Sequence, residues 1–274
     1  MTKRGQVTIF ILLGILIVFI AIAIFFINQY TIQKSLEIQQ EKELDLERKS
    51  QSVKVLVESC IRQVAERAVI TVGYRAGKPE LDDSYYDGKV FSANYLYYLG
   101  EGLALSTDEI ESSLEKIMNL QLLECLPNDF KQQDIINEEL VSLENLVFQG
   151  LSINSEEVTT VVDISNQYVI FTINWPLTLK LDYMQKVMEN FAPVKLPVRL
   201  KKTGLFVEEF VQQLELNPYF IDAFYLLDQN LTIDMAIYEE DTYIFLITDE
   251  NSLIDNEPFK FLFAAKIKIP EAYS

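Results

Sequence analysis

The sequence predicts an α+β fold in which a long N-terminal transmembrane and stalk helix precedes a globular head with an antiparallel sheet and packed helices. Three observations favour this fold. Residues 7–27 form an uncharged apolar run, residues 28–72 contain no proline or glycine, and strand patterns after residue 150 alternate irregularly with single helices. The chain divides accordingly into a transmembrane part (1–27), a helical stalk (28–74), a helical and loop part of the head (75–150) and an α+β part of the head (151–274).

The apolar run at 7–27 has the length of a membrane span. Its 21 residues cover roughly 31 Å as a helix, about the thickness of a hydrocarbon core. Lys3 and Arg4 precede it, and only Lys34 follows it closely. The positive-inside rule then predicts a single-pass membrane protein with a cytoplasmic N-terminus, an extracytoplasmic C-terminal domain and membrane lipid as a partner. A cleaved secretory signal is the rival interpretation.

The residues before this run carry a short motif. Lys3-Arg4-Gly5-Gln6 resembles the class III signal of archaeal type IV pilin-like proteins. The resemblance implies that a prepilin peptidase cuts between Gly5 and Gln6 and leaves the apolar helix on the mature protein. One position departs from the pattern, because Phe10 stands where many pilins have a glutamate. A basic flank on an ordinary membrane anchor is the alternative.

The stalk is predicted to continue the first helix, because residues 33–52 are rich in helix formers. Its second half should pack on the head through an apolar face at helical spacing. That face comprises Val53, Leu56, Cys60, Val64, Ala68 and Val72.

The two cysteines allow two interpretations. Cys60 lies on the apolar face of the stalk, and Cys125 lies at the end of a second predicted helix. An extracytoplasmic location favours a disulfide between them. Two buried free thiols are the alternative.

Local signals place the elements of the head. Ser106 and Glu109 form a capping box, and the helix that they begin ends before Pro127. The region 129–150 is ambiguous between helix and extended pieces. Further predicted elements are hairpins at 158–164/168–174 and 231–238/242–248, a helix from Thr203 to Leu216 and a last strand at 259–269.

Four segments extend the resemblance along the chain. They are Val57 to Cys60 (VESC), Glu124 to Leu126 (ECL), Trp175 to Leu177 (WPL) and Asn256 to Ala264 (NEPFKFLFA). Together with the N-terminal motif they resemble a family of pilin-like surface proteins from small-genome (DPANN-type) archaea. The resemblance implies architecture and a location at the cell surface or in a surface filament, and it implies no activity.

Composition excludes most catalytic chemistry. The chain has no histidine, only two cysteines and a formal net charge of −18. These values argue against nucleophile–histidine pairs, thiolate zinc sites and nucleic-acid binding. No phosphate-binding glycine loop or serine elbow occurs, so we predict no catalytic, cofactor or metal site.

Three features suggest binding instead. Acidic groups at Asp82-Asp83, Glu239-Glu240-Asp241 and Asp249-Glu250 could ligate calcium, although solvated turns explain them as well. Asn230 begins a glycosylation sequon. The tyrosines at 85, 86, 95, 97 and 98 could bind a glycan, although tyrosines more often cover a core.

The sequence therefore predicts a membrane-anchored, pilin-like surface protein with a structural or adhesive role, which could pair with itself or with pilin-like partners through its first helix. An anchored module that binds a ligand, a glycan or calcium is the alternative. An enzyme that uses carboxylates alone is a third hypothesis.

Overall fold

The computed structural model describes the backbone at residues 4–83, 85–88, 91–126, 150–222, 225–226, 230–239 and 241–268. Helix α1 (Arg4–Tyr74) is 71 residues long, or about 105 Å at 1.5 Å per residue. Its side chains are described at Gly14, at Leu16 and from Val18 onward. The ambiguous region at 129–150 lies outside the described residues except for Gly150.

The predicted transmembrane helix at 7–27 is not supported. Within the described part of the chain, no helix is long and apolar enough to cross a membrane. The described side chains of α1 form an unbroken apolar run only from Val18 to Ile27, about 15 Å of helix against a hydrocarbon core of about 30 Å. The transmembrane part of the predicted fold and the single-pass membrane localisation are therefore both wrong on this finding.

In the part of the chain that the structure describes, two longer helices, one 3-10 turn and eleven strands follow α1 in the α+β fold. The helices are α2 (Thr107–Gln121), a 3-10 turn (Leu122–Cys125) and α3 (Leu200–Leu216). The strands are β1 (Tyr85–Asp87), β2 (Ser92–Tyr98), β3 (Glu101–Gly102), β4 (Leu151–Ser155), β5 (Thr159–Ile164), β6 (Val169–Leu181), β7 (Met184–Asn190), β8 (Val194–Leu196), β9 (Thr232–Glu239), β10 (Thr242–Ile254) and β11 (Glu257–Lys266).

The larger sheet has the strand order β1-β2-β11-β10-β9, with β3 paired to β2. The hairpin of β9 and β10 confirms the predicted pairing of 231–238 with 242–248. The sheet is not wholly antiparallel, because β2 runs parallel to β11. Those two strands are distant in the sequence, so no hairpin fixes their relative direction.

The smaller sheet is built around β6. The strands β4 and β5 follow one another along one side of β6, and β7 and β8 follow one another along the other side. Pro176 lies inside β6, which the sequence predicts to end at Asn174. A proline cannot donate a ladder hydrogen bond, and here it falls at the register break between Asn174 and Leu177. Its carbonyl oxygen accepts from the Glu156 N–H at 3.0 Å.

One hydrophobic core joins both parts of the head. The second half of α1 supplies Val53, Val57, Ile61 and Val64, which pack with side chains from both sheets and from α2 and α3. The predicted apolar face is rotated slightly, because Leu56 is exposed. Residues 75–126 and 150–268 thus share a sheet and a core among the described residues.

Helix α3 begins before the predicted N-cap. Arg199 is the N-cap residue, whereas Thr203 lies one turn inside the helix and is fully buried. The capping box of α2 is confirmed: Ser106 accepts from the Glu109 N–H, and Glu109 accepts from the Ser106 N–H. Arg199 makes no side-chain cap hydrogen bond, and buried Leu200 packs the first turn of α3 into the core.

Gly73 marks the closest approach of α1 to the larger sheet. A Cβ atom at this position would stand 2.3 Å from the Lys260 backbone oxygen and 2.8 Å from the Phe259 ring. We therefore expect Gly73→Ala to lower the free energy of unfolding by about 1–3 kcal/mol, measured by urea titration. Gly14→Ala is the matched control, because nothing lies within 4 Å of its Cβ position. Equal stability of the two variants would contradict the close contact.

Candidate functional site: the projecting helix

The N-terminal part of α1 leaves the head and carries exposed apolar side chains. Every described side chain from residue 18 to residue 41, hereafter the projecting segment, is exposed. Phe26 is 65% exposed and Tyr30 is 68% exposed. The other large apolar side chains of the segment that are about half exposed or more are Val18, Phe19, Ile20, Ile22, Ile24, Phe25, Ile27, Ile32, Leu36 and Ile38. Apolar surface of this extent marks a contact site for another molecule.

The distribution of apolar side chains around the helix changes along the projecting segment. From Val18 to Ile27 every position is apolar, so the helix is apolar on all sides. Beyond Ile27 the polar residues increase, and Ile32 and Leu36 stay on one face at a spacing of four residues. Continued at helical spacing, that face reaches Leu46, which is buried against the head. Gln39 and Glu43 lie between Leu36 and Leu46 on that face, and Gln39 donates to Glu43 at 3.4 Å. A polar patch therefore separates the apolar side chains of the projecting segment from those that pack on the head.

The hairpin of β6 and β7 holds α1 where it leaves the head. The Lys42 ammonium donates to the Asp182 carboxylate at 2.6 Å and lies 5.4 Å from the centre of the Tyr183 ring. This hydrogen bond and the charge of Asp182 raise the pKa of Lys42 above its ordinary value. Farther along, the Lys186 ammonium donates to Glu47 at 2.5 Å and to the Ser50 hydroxyl at 3.0 Å.

A disulfide fixes α1 to the end of α2. Cys60 and Cys125 are bonded, and their Cα atoms are 5.6 Å apart, within the normal range for a disulfide. The predicted pairing is confirmed, and the alternative of free thiols is wrong. Since α1 is held both by this bond and by the β6–β7 hairpin, the direction of the projecting segment is fixed relative to the head.

One residue of each acidic group singled out as a possible calcium ligand is in an ion pair. Asp82 pairs with Lys78, Asp241 pairs with Lys266, and Asp249 pairs with Arg199. Glu240 lies outside the described residues. Within the described ranges, no three acidic or cysteine side chains come together as a metal site would require.

The structure exposes the sequon and describes only the backbone at the predicted cleavage site. Asn230 is exposed with a positive φ of 49°, and its carbonyl oxygen accepts from Lys202 at 3.4 Å. The sequon leads directly into β9. Gly5 and Gln6 lie in the first turn of α1, and their side chains lie outside the described residues. Processing and glycosylation stay predictions.

The tyrosines do not form one exposed cluster. Tyr97 is fully buried, and its hydroxyl donates to the Leu214 carbonyl oxygen at 2.9 Å. Burial raises the pKa of its hydroxyl, with a smaller effect from Glu215. Tyr95 is also buried, whereas Tyr85 and Tyr98 are about two-fifths exposed. Tyr95 and Tyr97 pack in different clusters although they are two residues apart, because the register of β2 against β11 shifts between them.

A buried ion pair that sequence reasoning missed joins α3 to β10. Asp249 is 1% exposed; its carboxylate accepts from the Arg199 guanidinium, with Nε at 2.9 Å from Oδ2, and from the Ser252 hydroxyl at 2.5 Å. Burial alone would raise the pKa of Asp249. The hydrogen bonds from Arg199, Ser252 and the Asn251 N–H outweigh burial and lower the pKa below its ordinary value. All the partners belong to the head, so this is a structural network.

No protein-family model, curated protein or solved structure matches the chain. The resemblance to pilin-like proteins therefore stays a prediction, and the candidate site depends on the geometry of the projecting segment. A sequence signal for that segment exists in the apolar run and the absence of helix breakers, and both point to one long helix.

Proposed function

We propose that the protein is a structural subunit that assembles with other copies of itself through the projecting segment, as a pilin-like protein would. The observation that carries this proposal is the continuous exposure of apolar side chains from residue 18 to residue 38 on a helix whose direction the head fixes. Burial of apolar surface stabilises association by about 25 cal/mol per Å² before the costs of association are deducted.

The distribution of apolar residues favours helices as the partners. Residues 18–27 are apolar on every side, so one flat partner could cover only part of the surface. Several parallel helices around each segment could cover all of it, in the way that buried helices are surrounded in a bundle. Copies of the same segment supply such helices.

Charge places the heads at the outside of such an assembly. The chain carries a formal net charge of −18, whereas residues 18–33 contain no charged residue. Helices of this kind can pack closely without like-charge contacts, and the acidic heads repel one another. An assembly with central helices and peripheral heads meets both conditions.

Sedimentation velocity on the full chain tests the proposal. We expect large assemblies from the unaltered protein and a species of single-copy mass from the double variant Phe25→Glu/Ile32→Glu, because each carboxylate would be buried at the helix contact. Thr31→Glu/Lys34→Gln is the matched control, because it changes the net charge by the same amount on the side of the helix away from Phe25 and Ile32, and we expect it to retain the larger species. An unaltered chain that sediments as a single copy at about 50 μM, a concentration in the range where specific associations form, would overturn the proposal.

A further inference from the structure

The edge strands of the two sheets differ in what covers their outward-facing backbone groups. Strand β5 is at an edge of the smaller sheet, and α2 covers it with two glutamates one helical turn apart. The Ile164 N–H donates to Glu111 at 2.7 Å, and the Val162 N–H donates to Glu115 at 3.0 Å. Outward-facing backbone groups of β5 are thereby satisfied, and the edge cannot recruit another strand.

Among the described residues, no side chain donates to or accepts from the outward-facing backbone groups of β9. Near its end, the Tyr238 ring contacts the rings of Tyr86 and Phe91, with centroids 5.5 and 5.4 Å away. Strand β9 is the longest edge strand that the structure describes, and it pairs only with β10. Its side chains are exposed from Asp234 to Tyr238, with Met235 at 42% and Ile237 at 63%. A long apolar edge of this kind is a template for one more strand.

The two faces of β9 differ in chemistry. Met235 and Ile237 lie opposite Phe245 and Tyr243 of β10, and these partners pack in or against the main core. The same face therefore continues the core outward to the edge. Ala236 and Asp234 lie on the other face, opposite Ile244 and Leu246.

We propose that β9 pairs antiparallel with β9 of a second copy across a two-fold axis at Ala236. In this register Met235 faces Ile237 of the second copy on the core side. Asp234 faces Tyr238 of the second copy on the other side, and the smallest side chain of the strand lies at the axis. The strand is thus self-complementary, which an isologous interface requires.

Charge disfavours the two registers whose axis lies one or two residues before Ala236. An axis at Asp234 would place the two Asp234 carboxylates directly opposite each other, and an axis at Met235 would place them on the diagonal, within about 7 Å. An axis at Ala236 separates them by four residues along the strand, about 13 Å. That distance exceeds the screening length of about 8 Å at physiological salt.

The β9 pairing and the proposed assembly through the projecting segment use different surfaces, so an experiment can contradict one proposal and leave the other unaffected. The test uses the full chain with Phe25→Glu/Ile32→Glu, which removes the helix contact, and adds Ala236→Cys. Both native cysteines are paired with each other, so the new thiol is the reporter. We expect mild oxidation to give a covalent dimer in most of the protein, with a 236–236 disulfide found by peptide mapping.

Two control variants make the result specific. Val161→Cys places a thiol at an exposed position of the covered edge β5, and we expect at least tenfold less dimer from it. Adding Ile237→Lys to the Ala236→Cys chain should abolish the dimer, because a lysine at the edge opposes pairing. Equal cross-linking at 161 and 236, or cross-linking that Ile237→Lys leaves unchanged, would overturn the proposal.

Discussion

Replacing Asp249 by asparagine should lower the free energy of unfolding by about 3–5 kcal/mol, because removal of one partner leaves the other charge of a buried ion pair uncompensated. The Asp249 carboxylate is almost completely buried and accepts from Arg199, from Ser252 and from the Asn251 N–H. An asparagine can accept at one oxygen only. Urea unfolding followed by the fluorescence of Trp175, the one tryptophan of the chain and fully buried, measures the change.

An exposed ion pair provides the control. Glu80 pairs with Lys116 at 2.9 Å, and both side chains are more than half exposed. We expect Glu80→Gln to change the stability by less than about 1 kcal/mol. The double variant Arg199→Met/Asp249→Asn should recover part of the loss, because no unpaired charge stays buried. A loss of less than about 1 kcal/mol for Asp249→Asn alone would contradict the network.

The ion pair of Arg199 and Asp249 determines whether the stability of the fold rises or falls with pH in the acidic range. The pKa of Asp249 is lower in the folded protein than its ordinary value of 3.8. Its contribution to stability is therefore complete above about pH 4 and is lost as the pH falls below 4 through the folded pKa. We expect Asp249→Asn to show a shallower loss of stability than the unaltered chain between about pH 4 and pH 2.

Removal of the disulfide should cost about 4 kcal/mol on the chain-entropy model, because the bond closes a loop between residues 65 positions apart. The double variant Cys60→Ala/Cys125→Ala makes the change without leaving a free thiol. The bond acts mainly on the unfolded chain, so the dependence of the unfolding free energy on urea concentration should also become steeper.

Chemical reduction separates the bond from the side chains. A reducing agent should destabilise the unaltered chain by about the same amount as the double variant, and it should leave the double variant unchanged. If the double variant loses less than about 1 kcal/mol of unfolding free energy, the loss is far below the chain-entropy value. That result would show that other contacts already hold α1 near α2 in the unfolded ensemble.

Local sequence signals predicted the elements that local interactions determine. The capping box at Ser106 and Glu109 confirms the start of α2, and the predicted hairpin of 158–164 with 168–174 is present as β5 paired with β6. For these two elements the information lies within a few residues. The cysteine pair was predicted from an extracytoplasmic location, and the disulfide is present although the membrane span behind that location is not supported.

Elements that depend on distant contacts could not be predicted. The parallel pairing of β2 with β11 joins residues about 170 positions apart, and no turn records its direction. Asp249 was assigned to a solvated turn because it precedes Glu250, yet Arg199 makes it part of the interior. Strand β6 continues past Asn174 because its neighbours change at Pro176, an arrangement visible only in three dimensions.

The structure contradicts one part of the functional prediction, the membrane span. The apolar run was predicted to span a membrane, and no described helix meets the length and apolarity that a span requires. The exposure of its described side chains nevertheless needs an explanation, because apolar side chains on a projecting helix gain stability only when another surface covers them. Association with other copies is the proposal that uses residues of the chain itself.

Photo-crosslinking from the projecting segment tests that proposal most directly. A photoreactive benzoyl-phenylalanine at Phe26, which is 65% exposed, would be irradiated in the full chain, and the cross-linked peptides would be identified by mass spectrometry. Mixing isotope-labelled and unlabelled chains distinguishes links between copies from links within one copy. We expect links from residue 26 to residues 18–41 of other copies. Cross-links found only within single chains would contradict assembly through this helix. The absence of any cross-link between copies in a sample of undegraded protein would contradict it as well.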